Sequence, residues 1–405
     1  MVLVALVLRV GLIAWLHSYD FPSAWAHFAF GMETGSIAGS IASGEGFSSP
    51  FGKPTGPTAW VGPVYPYLCA VVFRLFGSFS PASGFVMLLL NSVFAALTCL
   101  TIVQIGERTL GRKVGLWAGW VWAAAPFFMQ WTVTWVWDMS LSALLLSLLF
   151  LLALDLRHTG SWQKWIGFGL LWGVAALTNP SLLSFLPFSL AWAAYHLHRE
   201  QQPWLRLLAI ALFACGLAIA PWLVRNRVVF GETVFIRSNF WFEFHLGNYH
   251  LSNGLGWRGK HPTVNAEEFE QYRRLGELGY VAQARQQALK FLREYPGEFV
   301  QLTLRRFRYF WDGTPVLYSR AEVKLWQPWM VLSFSLLALL GLARGLGRSV
   351  NGAGLFALLL LAYPALYYLT YANIRYRHAI EPELLLLTVY CLQQLATGLR
   401  AKLQV

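Results

Sequence analysis

Apolar runs of roughly 16 to 24 residues recur from one end of this chain to the other, and that recurrence leaves few folds open. A helix crosses ~30 Å of hydrocarbon in ~20 residues, so runs of this length suit membrane spans. A transmembrane barrel would instead show stretches of ~10 residues alternating in polarity, and the chain has none of that pattern. Over 405 residues it is 57% hydrophobic and only 12% charged, with a mean hydropathy of +0.49, far from the averages of a soluble domain. The expectation is an all-α polytopic membrane protein.

Spans are predicted near 2–17, 83–106, 114–131, 139–155, 164–178, 181–196, 205–223, 326–343, 353–371 and 379–397, about ten in all. The piece at 61–76 is shorter and interrupted by Pro63 and Pro66, so it reads as a partly embedded helix. The first run contains Arg9 and no small-x-small cleavage site, which predicts a retained helix instead of a removed leader. Cys69, Cys99, Cys215 and Cys391 lie scattered in apolar segments without metal-ligand spacing and read as packing residues.

Charge sets the predicted orientation. One set of short connections holds Arg108, Arg112, Lys113, Arg157, Lys164, Arg199, Arg206, Arg344, Arg348, Arg400 and Lys402. The opposite set has only Lys53, Arg74, Arg375 and Arg377, so the basic set and both termini are placed in the cytoplasm. The other side then receives the loop 18–82, the turns WTVTWVWD and TNPS, the stretch 224–325 and YANIRYRH. The net charge of +12 sits at helix ends and in the 224–325 stretch, a distribution that suits anionic lipid head groups or a phosphate-bearing substrate and gives no support to nucleic-acid binding. Three parts follow: a transmembrane module at 1–223 with its first outer loop at 18–82, an outer helical subdomain at 224–325, and C-terminal transmembrane helices at 326–405. In the second, Asn265 opens a capping box with Glu268, and Val281, Ala284, Ala288 and Phe291 keep a helical period. That subdomain ends in TLRRFRYFW, whose arginines are expected to meet phosphates at the membrane surface.

The unusual polar residues gather on the side opposite the basic loops. Residues 30–43 read as an interfacial helix stopped at Gly44, with Glu33, Ser36 and Ser40 on one face. An ionised Glu33 is costly against lipid, so it is expected to face the protein's own cavity; the plain alternative is a solvated surface carboxylate. Asp138 opens a span in WDMSLSALLL, where it is expected to cap the helix and also to stand at the cavity mouth. Arg375, Arg377 and His378 precede the last span, and planar guanidinium donors match phosphate oxygens; ordinary anchoring to lipid phosphate is the alternative. Glu381 is expected to pair with one of these arginines. Lys53 and Arg225 are weaker cationic candidates, and Asn179 before Pro180 reads first as a helix cap. No nucleotide-binding loop, serine-hydrolase elbow or zinc-protease pattern occurs.

Together these residues resemble a known group. Glu33 followed by IAGSIASGEGF and then GPVYPYL, the opening WDMSLSALLL, the segment from PWLVRNRVVFG to HLGN, and RYRHAIEPELLLL are similar to polyprenol-dependent glycosyltransferases of the GT-C type, in the protein mannosyltransferase and aminoarabinose transferase superfamily (glycosyltransferase family 39-like). The resemblance implies a GT-C bundle and an inverting transfer of a hexosyl or pentosyl group from a polyprenyl-phosphate-sugar donor. It implies work at the outer face of a bacterial inner membrane, on a glycan, lipid or protein acceptor, with membrane lipid as the surrounding partner. Glu33 takes the place of the base and Asp138 assists it. This sequence has a single acid where relatives have an Asp-Glu pair, and GPVYP where some have Lys-Pro-Pro. The donor phosphate therefore falls to Arg375, Arg377, His378 and Lys53, while His27, Tyr65, Asn179 and Arg225 are assigned to the substrate cavity. No cofactor or metal is expected for this chemistry; a divalent ion, if one binds, would take Glu33 and Asp138 as ligands. A transporter or flippase of lipid-linked sugars is the alternative reading, and the chain shows no inverted repeat to favour it.

Overall fold

A computed structural model describes residues 1–21, 26–256, 258–313 and 327–403. In chain order the α-helices are α1 (Val2–Leu16), α2 (Ala26–Ala29), α3 (Glu33–Ala42), α4 (Val64–Phe76), α5 (Pro81–Arg108), α6 (Arg112–Ala124), α7 (Pro126–Thr134), α8 (Met139–Leu156) and α9 (Trp162–Thr178). They continue as α10 (Leu186–Arg199), α11 (Trp204–Phe230), α12 (Phe240–Gly247), α13 (Ala266–Glu294), α14 (Pro296–Asp312), α15 (Gln327–Gly347), α16 (Ala353–Leu369) and α17 (Glu381–Leu403). Among the described residues the only β-pairing is an isolated bridge between Ser48 and Pro57.

The all-helical membrane class holds, and the helices fall close to the expected spans. Within α5, α8, α11 and α15, four stretches are long and apolar enough to cross a bilayer (Pro81–Arg108, Met139–Leu156, Trp204–Phe230 and Pro328–Gly347), and α1, α4 and α16 are shorter apolar helices. The run expected at 114–131 is two helices, because Pro126 has no N–H to give the Trp122 carbonyl. Arg9 supplies what the break removes: its guanidinium donates to Trp122 O at 2.9 Å and Ala123 O at 3.0 Å. The charge that marked the first run as odd is thus a buried cap for a broken helix. The span expected at 181–196 begins as a 3-10 turn, Pro180–Phe185, with Asn179 Oδ1 accepting from the Ser181 amide at 3.1 Å as its cap. The expected part boundary at 325/326 lies outside the described residues.

Helix α8 runs through the middle of the bundle, with 83% of its apolar window buried, whereas α11 and α15 bury 33% and 28% and turn the rest outward. Small residues let helices close on each other without side chains between them: a Cβ on Gly106 of α5 would stand 2.4 Å from the Gly115 Cα of α6. A second, smaller core lies apart from the bundle. Phe51 and Trp60 of the loop 18–82 pack there with Phe242 and Leu246 of α12 and Phe269, Tyr272, Tyr280, Val281 and Ala284 of α13. The loop therefore shares its core with the 224–313 segment. Asn265 caps α13 through Glu268 N at 3.0 Å, as its sequence implies, and Val281, Ala284, Ala288 and Phe291 are all buried.

Candidate active site

The site is built on a short strap, Thr58–Ala59–Trp60, held by partners from distant elements. Buried Glu277, placed by the left-handed kink at Gly276 (φ 69°), accepts from Thr58 Oγ1 and from the Ala59 amide at 2.8 Å. Arg225 donates to the Thr58 carbonyl at 2.6 Å, and the Ser238 amide donates to Ala59 O at 2.9 Å. Just beyond, Gly62 lies so close to the end of α9 that a Cβ there would stand 2.4 Å from the Leu177 carbonyl. The loop is thus pressed against the bundle.

A cavity of about 1270 Å³ opens beside this strap. Glu33 lines it from the first turn of α3, where the helix dipole favours a negative charge. The residue before it, Met32, has φ 49° and ψ −96°, an uncommon backbone setting for a side-chain-bearing residue. Two donors reach Glu33, and both reach Oε1: Trp60 Nε1 at 3.3 Å and His261 Nε2 at 2.9 Å. The Thr263 amide donates to His261 Nδ1 at 3.3 Å, which makes Nδ1 the acceptor and leaves the ring proton on Nε2, directed at the carboxylate. Oε2 has no hydrogen-bond partner on another described residue. Burial pushes the Glu33 carboxyl up, but the His261 contact, its own backbone amide and the charge of Arg237 overcome it and hold the group below the usual carboxylate range.

The same cavity is lined by Asp138, Arg375, Arg237 and Glu243. Asp138 precedes α8 but makes no side-chain cap, in contrast to the expectation; its Oδ2 accepts from Ser142 Oγ at 3.1 Å, because its helical ψ of 0° turns the side chain away from the first amides. Burial pushes the Asp138 carboxyl up, against the pull of Arg237 and, less strongly, Arg375. The Arg375 guanidinium lies 3.6 Å from the centre of the Trp137 ring and donates to Tyr376 Oη at 3.2 Å. Arg237 donates from Nε to the Trp60 carbonyl at 3.2 Å. Glu243 accepts from Asn239 Nδ2 at 2.9 Å, and burial raises its carboxyl. Trp137, Trp241, Tyr363, Tyr367, Tyr371 and Tyr376 supply aromatic walls.

Several expected site residues go elsewhere. Arg377 turns away from the cavity into the bundle, 1% exposed, with Nη1 on Ser335 Oγ at 2.5 Å. His378 is fully buried, stacks on Trp122 and donates from Nδ1 to Glu381 at 2.7 Å, so Glu381 pairs with the histidine and not with an arginine. A 3-10 turn over Ile374–Ile380 explains the split, since positions 375 and 377 point to different sides of such a turn. Lys53 lies over the Phe269 ring at 5.0 Å, and Arg225 braces the strap; neither lines the cavity. Tyr65 and Asn179 do line it. The His27 side chain lies outside the described residues.

Residues 57–224, less than half of the chain, match the family model for dolichyl-phosphate-mannose-protein mannosyltransferases. An oligosaccharyltransferase from Archaeoglobus fulgidus, solved in complex with zinc and sulfate, has a similar structure over 98% of this chain, at 14% identity and a TM-score of 0.52. The chain has the GT-C fold. It covers 49% of the length of that oligosaccharyltransferase. ArnT from Cupriavidus metallidurans, bound to undecaprenyl phosphate, aligns over 97% of this chain and 78% of its own at 14% identity, with a TM-score of 0.44. No protein among curated ones matches.

In this GT-C chain the matched stretch includes the strap, Tyr65, Asp138 and Asn179, while Glu33, Arg237, Glu243, His261 and Arg375 lie outside it. Arg237, Glu243 and His261, with Glu232 and Arg285, are charged or titratable cavity residues that sequence reasoning missed. Arg237 and Glu243 stand inside the segment from PWLVRNRVVFG to HLGN, and His261 stands four residues before the cap of α13. No cluster of three or more His, Cys, Asp or Glu side chains suited to a metal occurs among the described residues.

Proposed function

We propose that this protein moves a sugar from a polyprenyl-phosphate-linked donor to an acceptor hydroxyl, with inversion, at the outer face of the inner membrane. One observation carries the reading: the cavity that holds a carboxylate with one oxygen doubly hydrogen-bonded and the other open also holds guanidiniums and aromatic walls. The match to mannosyltransferases that use a dolichyl-phosphate-linked sugar supports the same donor chemistry.

In the proposed step the acceptor oxygen attacks the anomeric carbon as the bond from that carbon to the phosphate oxygen breaks. The bonding electrons leave with the phosphate, and the acceptor proton passes to Glu33 Oε2. His261 and Trp60 hold Oε1, so the free lone pair has a fixed direction. A carboxylate held below its usual range is a weak base at neutral pH, and its contribution comes from position and from taking the proton as the new bond forms. Arg375, stacked on Trp137, faces the departing phosphate, where a preorganised donor is worth several kcal/mol. Asp138, in the same cavity, orients the substrates.

The test is purified protein with labelled polyprenyl-phosphate sugar and a crude envelope extract as acceptor. Labelled product that requires Glu33 supports transfer. Movement of the label across a vesicle membrane without product would make the protein a transporter of lipid-linked sugars instead.

A further inference from the structure

Three arginines line the cavity: Arg285 is exposed and lies 5.4 Å from the centre of the Trp241 ring, and the two more buried ones, Arg375 and Arg237, are held differently. Arg375 lies flat against Trp137 and is tied to Tyr376. Arg237 is fixed only at Nε, by the backbone carbonyl of Trp60, a residue with no solvent exposure, and its two terminal nitrogens have no hydrogen-bond partner among the described residues. Neither Arg375 nor Arg237 has a carboxylate within 4.0 Å among the described residues, although four acids, Glu33, Asp138, Glu232 and Glu243, line the same cavity. Half-buried guanidiniums lacking a close counter-ion leave donor capacity that an anion can fill. Asp138 and Glu243 each feel the field of both arginines, which places the two cations around one common space.

Trp60 adds a second relation. Its carbonyl holds Arg237, and its indole N–H holds Glu33. One rigid residue therefore sets the separation between the carboxylate and the second cation. The charge change of the reaction gives that arrangement a use. A sugar linked through a phosphodiester carries one negative charge, whereas the departing phosphate monoester carries close to two at neutral or higher pH. A cation that interacts more strongly with the monoester stabilises the transition state beyond the ground state.

Resting on the transferase reading above, we propose that Arg237 is a catalytic residue: it contacts the departing phosphate monoester opposite Arg375, and the pair forms a clamp that prefers a dianionic phosphate to a monoanionic one. Arg375 serves the charge that the donor already has, and Arg237 the charge that develops as the sugar leaves.

Binding tests this without any acceptor or turnover. The full-length protein in lipid nanodiscs is titrated with polyprenyl monophosphate, with its monomethyl ester, which has one charge, and with inorganic phosphate. Wild-type protein is expected to prefer the monophosphate to the methyl ester, and Arg237→Gln to reduce that preference by about tenfold or more while binding the ester nearly unchanged. Arg375→Gln weakens both lipids. Trp60→Phe, which keeps the backbone carbonyl and removes the indole N–H, retains the preference and lowers turnover. Competition by inorganic phosphate that depends on both arginines supports the clamp with a soluble anion as a second source. An undiminished preference in Arg237→Gln overturns the clamp and leaves a single-cation transferase standing. A wild-type protein that binds both lipids equally also overturns it, whatever the transfer assay shows.

Discussion

Arg375 and Arg377 are two residues apart and end in opposite surroundings. Arg375 lines the cavity, stacked on Trp137, while Arg377 is enclosed in the bundle with Nε and Nη2 unpartnered and one hydrogen bond to Ser335. The difference extends to their neighbours. The cavity holds Glu33, Asp138 and Glu243, each with access to the open space; the bundle holds His378, Glu381 and Glu383, each 1% exposed or less. Both regions have acids and bases, so residue type alone does not mark a site. What separates them is whether the spare bonding capacity faces an opening, as at Glu33 Oε2, or is enclosed, as at Glu381 Oε1 and Glu383 Oε2, whose other oxygens are taken by His378 and by Ser147 at 2.8 Å.

The largest effect that could break this comparison is at Glu33. Glu33→Gln keeps the shape and the contact to Trp60, and transfer of labelled sugar is expected to fall by about 10² to 10⁴ with little change in melting temperature. Near-normal turnover would remove the base from the cavity side of the contrast. Next comes the bundle. Glu381→Ala leaves buried His378 without its partner and is expected to cost on the order of 3 kcal/mol in thermal unfolding, while the surviving folded protein binds donor as wild type does. Lost donor binding at unchanged stability would move this cluster into the site.

A pH profile sharpens the cavity side. The folded value of Glu33 is lowered, so its contact with His261 adds stability above the ordinary carboxylate value and loses it as pH falls through the lower folded value. Wild-type kcat/KM should therefore hold through mildly acidic pH. In His261→Ala, burial outweighs what remains, and the acid limb is expected to move upward by about one pH unit; an unmoved limb would show that His261 does not act on Glu33. The smallest effect is at Lys53, exposed over Phe269 and away from the cavity. Lys53→Ala is expected to change stability by no more than about 0.5 kcal/mol and donor KM not at all.

Legibility followed the range of the forces involved. Glu33, Asp138, Tyr65, Asn179 and Arg375 could be read from the chain because each is a polar residue next to an apolar run. Lipid makes such placements costly, so each one stands out in the chain. Arg237, Glu243 and His261 come from a stretch rich in polar and aromatic residues, where one more charge is unremarkable. Only the strap at Thr58–Trp60, tied down by Glu277 more than two hundred residues away, brings them to Glu33. Arg377 and His378 misled for the converse reason, because adjacency in sequence says nothing of which way a 3-10 turn directs alternate residues.

By itself the sequence determined the helical membrane class and the approximate helix positions, and it singled out one carboxylate in the first loop that lines the cavity. Each of these depends on local composition against the thickness of a bilayer. Tertiary structure decided which cations share the cavity with that carboxylate, which charges are spent inside the bundle, and which oxygen of Glu33 stays free. Those outcomes depend on hydrogen bonds between segments far apart in the chain, and the direction of a side chain in a packed interior is set by all of its neighbours at once.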